Sequence, residues 1–144
     1  MLLRVIGQKP LEDIYKYLCS EAVVISIVSS TAGSTPAKIS TTEYIDDILF
    51  LKFDDLSDIT NPELIARGYK FFNEELADAI LSFANKHKNK LIICQCEAGI
   101  SRSSAVAAAL AKIHNNNDNI YFKNYVPNTL VYSTIIKRYQ EKFK

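Results

Sequence analysis

Leu91-Ile92-Ile93-Cys94-Gln95-Cys96-Glu97-Ala98-Gly99-Ile100-Ser101-Arg102-Ser103-Ser104 is the stretch whose reading decides the fold. It opens on an apolar, β-branched run, Leu91 to Gln95, with strand character. It continues past Ser104 into an Ala-rich stretch, up to His114, with helical character. Between them, Cys96 to Ser103 hold a thiol, a glycine and a guanidinium in one tight segment. A strand that turns sharply into a helix leaves the N–H groups of the turn pointing inward at the helix N-terminus. That is a cradle for a phosphate-like dianion. The same donors and the helix dipole favour the thiolate of a cysteine at its mouth. An arginine at its far end grips two oxygens of the anion at once. The residue types point to nucleophilic phosphoryl transfer to sulfur.

Cys96, five residues, Arg102 and Ser103 resemble the signature of the cysteine-based protein tyrosine phosphatases. The inner Gly99 and the short chain look most like the small dual-specificity branch. The resemblance implies Cys96 as nucleophile and Arg102 as the grip on the phosphoryl group. It implies a Ser103 that helps the thiolate leave when the phosphocysteine is hydrolysed. On the residues alone, Ser103 equally suits a helix cap. Glu97, Ala98, Gly99, Ile100, Ser101 and Arg102 would form the phosphate-binding loop, mainly through backbone N–H groups. Gly99 fits a close backbone approach or a positive φ.

A leaving alkoxide or phenoxide needs a proton, which calls for a carboxylic acid nearby. Phe53-Asp54-Asp55 resembles the acid-bearing loop of small phosphatases, in which the second Asp donates the proton. Asp55 is therefore the expected general acid, with Asp54 and Asp58 as fallbacks. One position departs from the family pattern. The residue before the nucleophile is usually His, and here it is Gln95. A glutamine amide hydrogen-bonds but carries no positive charge, so activity is expected to survive with a higher thiolate pKa.

Elsewhere the chain alternates strand and helix signals. Leu2 to Ile6, Ala22 to Val28 and Ile48 to Phe53 read as strands. Leu11, Ile14, Tyr15 and Leu18 share a helical face after Pro10. Ser29 to Thr42 reads as a loop, and Asn61-Pro62 as a helix start. Phe72, Leu76, Ala79, Ile80 and Phe83 recur at helical spacing, and Ile59 to Lys70 is length beyond that of compact relatives. Val106, Ala109, Leu110 and Ile113 mark one helical face, which Asn115 to Asn119 ends. Tyr132, Ile135, Ile136, Tyr139 and Phe143 mark a closing amphipathic helix. This pattern predicts an α/β fold: one domain over residues 1–144, with a mostly parallel sheet covered by helices on both faces. Ligands of such sheets bind beyond the C-terminal strand ends, where Cys96 and Asp55 both fall.

Composition excludes several classes. A formal net charge of +1 gives no field for nucleic acid or an anionic membrane. No apolar run is long enough to span a bilayer, and the first residues are too short in apolar character for a signal peptide. Cys19, Cys94 and Cys96 have no disulfide-framework spacing, which suits a reducing, cytoplasmic compartment. Cys94 reads as core. His87 and His114 sit near predicted helix C-termini without metal-ligand spacing, so neither a metal nor an organic cofactor is expected. Lys86, Lys88, Lys90 and the stretch from Lys137 to Lys144 read as solvated faces.

The expected function is a phosphotyrosine phosphatase, with phosphoserine/threonine also accepted, acting on a phosphorylated protein or peptide through a phosphocysteine. Small phosphomonoesters and phosphoinositides suit the same site. The competing reading is a catalytically weak phosphate-binding module that docks a phosphorylated partner. Sulfurtransferase loops place fewer residues between Cys and Arg. Arsenate reductases and low-molecular-weight phosphatases carry the loop near the N-terminus, and Cys96 lies two-thirds of the way along this chain.

Overall fold

The computed structural model describes residues 1–144. Four strands, β1 (Leu2–Gly7), β2 (Ala22–Val28), β3 (Ile45–Lys52) and β4 (Leu91–Cys96), form one sheet. Its order is β1-β4-β2-β3, and every pairing is parallel. The last strand is thus inserted between the first two, with Val5 and Ile25 flanking Cys94. Both central strands are mostly apolar, with Ser26 and Gln95 as polar exceptions, as suits strands covered on two faces; β2 is buried at every residue.

Side-chain alternation divides the core. Val23, Ile25 and Ile27 of β2 face the same side as Ile92, Cys94 and Cys96 of β4, in a cluster of 21 buried residues. Helices α3 (Glu74–Lys86), α4 (Arg102–Asn115) and α6 (Thr129–Arg138) cover that side. Ala22, Val24 and Ile93 face the other side with Leu11 and Tyr15. That smaller cluster is covered by α1 (Gln8–Ile14) and a 3-10 turn, Tyr15–Tyr17. Ile14, the last residue of α1, is exposed, while Leu11 and Tyr15 of the expected face are buried.

The first ten residues of α4 are all buried. Ala105, Ala107, Ala108, Ala109 and Ala111 let the helix lie close against the sheet, where a larger side chain would overpack the core by about 1–3 kcal/mol. Asn116 ends it in the left-handed conformation, φ 54°.

The structure differs from the sequence reading at several places. Phe72 precedes α3 rather than belonging to it, and reaches the core by packing edge-on against Phe53. A short helix, α5 (Asn119–Asn124), follows the Asn tract, whose polar composition concealed it. The extra length between Asp55 and Cys96 includes the short helix α2 (Pro62–Ala66), capped by Asn61. In the C-terminal stretch, Arg138 is not solvated: it is buried and clamps α6 to α3 through Asp78 and Glu74. Lys90 is also tied, to Asp46. No helix is long and apolar enough to cross a membrane.

Candidate active site

Strand β4 delivers Cys96 to the C-terminal edge of the sheet, and α4 begins six residues later at Arg102. The Cys96 side chain is buried. Its Sγ accepts the N–H of Gly99 at 3.3 Å and lies 3.1 Å from Ser103 Oγ. Burial alone would push this thiol up. The Ser103 hydroxyl, and the N–H groups of Ser103, Gly99 and Ile100, outweigh burial and hold it below its ordinary value. Two residues earlier, burial without such donors, with Cys96 nearby, pushes Cys94 up to about 12. The same strand thus carries one thiol built to ionise and one built not to.

The loop closes this tightly because two glycines meet. Gly99 has φ +71°, and a Cβ there would fall 2.5 Å from Gly7 N and 2.8 Å from Ile6 C. A Cβ on Gly7 would fall 3.2 Å from Ala98 O, and Gln8 N–H donates to Glu97 O at 3.1 Å. The junction of β1 and α1 is therefore the wall against which the cysteine loop is moulded. Gly7 carried no signal in its own neighbourhood, since the contact exists only after β1 pairs with β4.

Arg102 is buried, and its Nη1 donates to Ser29 Oγ and to Phe53 O, each at 2.9 Å. Loops after β2 and β3 thus aim it, and both partners are neutral. Both hydrogen bonds use Nη1 alone, which leaves the other N–H groups of the guanidinium for an incoming anion.

The three candidate carboxylates separate by environment. Asp54 is buried and accepts Ser30 N–H at 2.8 Å, Lys70 N–H at 2.7 Å and the Ser30 hydroxyl. Burial works against its ionisation, but the donors of Ser30 and Lys70 prevail and hold it below the ordinary carboxylate range. Asp54 is a brace between loops. Asp58 closes a local turn through Thr60. Asp55 is exposed and turned to the cysteine loop: its Oδ1 accepts Ser101 Oγ–H at 2.9 Å and Asn128 Nδ2–H at 2.8 Å. Asn128 was not among the residues singled out from sequence. Pro127-Asn128 before an apolar helical face marks a helix cap, but its reach to Asp55 is tertiary.

Ser103 lies in the first turn of α4, and its hydroxyl faces the thiol rather than capping the helix. Gln95 is fully buried. Its Oε1 accepts the Ser26 hydroxyl, while Nε2 has no partner. Beside the loop, Gln8, Glu12, Ser29, Thr35 and Glu97 border a polar groove of about 280 Å³.

No protein-family model and no curated protein sequence matches the chain. Solved structures do. The Cydia pomonella PTP-2 phosphatase is 19% identical, with a TM-score of 0.56 over 95% of this chain and 85% of that one. Human DUSP28 is 17% identical, with a TM-score of 0.54 over 96% and 92%. PTPMT1 in complex with PI(5)P is 12% identical, with a TM-score of 0.55 over 97% and 91%. The chain has the fold of the cysteine-based protein tyrosine phosphatases in its small, dual-specificity form.

Proposed function

We propose that residues 1–144 are a single catalytic domain that hydrolyses phosphomonoesters, foremost phosphotyrosine and also phosphoserine/threonine on proteins, through a phosphocysteine on Cys96. The observation that carries this reading is the buried Cys96 thiol, held below its ordinary pKa by Ser103 and the loop N–H groups. A structural cysteine needs no such donors, as Cys94 illustrates.

Cys96 thiolate attacks phosphorus, forming the S–P bond as the P–O bond to the leaving group breaks. The loop N–H groups from Glu97 to Arg102 and the Arg102 guanidinium stabilise the equatorial oxygens. Asp55 protonates the leaving oxygen and then, as a carboxylate, takes a proton from the water that cleaves the phosphocysteine. Ser103 stabilises the departing thiolate in that second step. The polar groove beside Glu97 leaves room for groups flanking the phosphate. The phosphoinositide bound to PTPMT1 makes an inositol phosphate headgroup the second substrate to try.

The test is the pH–rate profile for aryl phosphate hydrolysis under reducing conditions, comparing wild type with Cys96→Ser. Turnover lost in Cys96→Ser, with an acid limb below the ordinary thiol range, is the expected result. Vanadate binding without turnover in either protein would instead favour the docking-module reading.

A further inference from the structure

We infer that Ser101 and Asn128 are positioning residues that decide which oxygen of Asp55 carries the catalytic proton; this rests on the phosphatase reading above. Both donors converge on one atom, Oδ1, at 2.9 and 2.8 Å. Oδ2 accepts no hydrogen bond from the protein. In a protonated carboxyl group the carbonyl oxygen accepts and the hydroxyl oxygen donates. Two donors on Oδ1 make it the carbonyl oxygen, so the proton resides on Oδ2. In the first chemical step that proton passes from Oδ2 to the leaving oxygen as the P–O bond breaks, and Asp55 is left as the carboxylate.

Both holders are themselves fixed. The Ser101 carbonyl accepts the N–H groups of Ala105 at 3.1 Å and Asn128 at 3.0 Å. Asn128 is buried, its Oδ1 caps α6 through Val131 N–H at 3.0 Å, and its Nδ2 also reaches Leu56 O at 3.2 Å. The phosphate loop, the acid loop and the start of α6 are therefore locked in register by three side chains. Such placement matters because an acid off its line by a fraction of an ångström loses much of its contribution.

Each donor is separable from its structural duty. Ser101→Ala removes only the hydroxyl, since that side chain makes no capping bond. Asn128→Ser keeps a good helix cap but is too short to reach Asp55. The assay compares phenyl phosphate, whose leaving group needs the proton, with dinitrophenyl phosphate, whose leaving group does not. Each substitution is expected to lower kcat/KM, which reports the phosphoryl-transfer step alone, for phenyl phosphate about tenfold, the worth of one well-placed hydrogen bond. The effect on dinitrophenyl phosphate should be much smaller. In an Asp55→Asn background neither substitution should cause further loss on phenyl phosphate.

Equal slowing of both substrates, or additive loss in the Asp55→Asn background, would overturn the inference and leave the phosphatase reading intact. An Asp55→Asn variant unimpaired on phenyl phosphate would also overturn it, by removing Asp55 from the reaction. Full turnover by Cys96→Ser would overturn the phosphatase reading itself.

Discussion

Gly99→Ala is expected to be costly in stability and to disable the site, for reasons that the structure separates into two parts. The first is backbone conformation: a non-glycine residue at φ +71° costs about 1–2 kcal/mol. The second is overlap. The new methyl would lie 2.5 Å from Gly7 N, 2.8 Å from Ile6 C and 3.0 Å from Gly7 Cα. All three are main-chain atoms of a strand end paired with β4 (Gly7 opposite Cys96), so none swings aside as a side chain would. Overpacking of this kind adds about 1–3 kcal/mol, for a total of about 2–5 kcal/mol.

Gly68→Ala is the internal control. Gly68 has φ +82°, but a Cβ there meets nothing within 4 Å, so it pays the conformational part alone. Urea unfolding of the two variants, with the slope m checked for constancy, isolates the overlap as their difference. Gly99→Ala should also weaken vanadate binding and lower kcat/KM, because the loop relieves the overlap by moving away from Gly7 and takes its N–H donors along. Gly68→Ala, whose Cβ meets nothing within 4 Å, should leave both unchanged. If Gly99→Ala costs no more than Gly68→Ala within about 0.5 kcal/mol, the wall formed by the β1–α1 junction does not shape the loop, and the argument fails.

Three further outcomes are expected. The Cys96 thiol has its pKa depressed on folding, so the native state binds fewer protons than the unfolded chain between the folded value and the ordinary 9.0. The stability of wild type relative to Cys96→Ser should therefore rise with pH up to about 9.0 and fade as pH drops through the folded value. Ser103→Ala should shrink that gain; a pH-independent difference in urea midpoints would contradict the thiolate assignment. Ser26→Ala should strip Gln95 of its one side-chain partner and cost about 1–3 kcal/mol, whereas Ser26→Ala with Gln95→Leu removes both polar ends and should recover most of the loss. A double variant as unstable as the single one would show that the pair holds more than itself together. Arg138→Ala should lower the thermal midpoint by freeing α6 from Asp78 and Glu74, while kcat/KM stays near wild type, because the clamp sits at the end of α6 opposite Asn128; loss of activity at full stability would refute that separation.

The parallel sheet with helices on both faces was legible because its signals are local and strong. β2 is a run of seven apolar and small residues, and the Ala-rich stretch after Arg102 has helical composition throughout. Helix α5 was not legible, since Asn115 to Asn119 reads as a terminator and the next helix is tied to the fold through partly buried Tyr121 and the Phe122–Tyr132 ring contact. Arg138 was concealed by neighbours of like charge. Its burial follows from Asp78 and Glu74 on another helix, which no pattern along Lys137 to Lys144 encodes. Ser29, Ser26, Gly7 and Asn128 were silent for the same reason: each acts through a partner far along the chain.

By itself the sequence determined the strand–loop–helix around Cys96, because a thiol, a glycine and an arginine at that spacing act through the backbone they sit on. It also determined that an acidic pair ends another strand. Which carboxylate of that pair faces the loop was decided only in three dimensions. Asp54 and Asp55 are adjacent and chemically identical, and the fold directs one inward to Ser30 and Lys70 and the other across to Ser101 and Asn128. Both lie in the loop beyond the end of β3 at Lys52, where no strand alternation assigns a side, so what each carboxylate meets is a property of the folded chain alone.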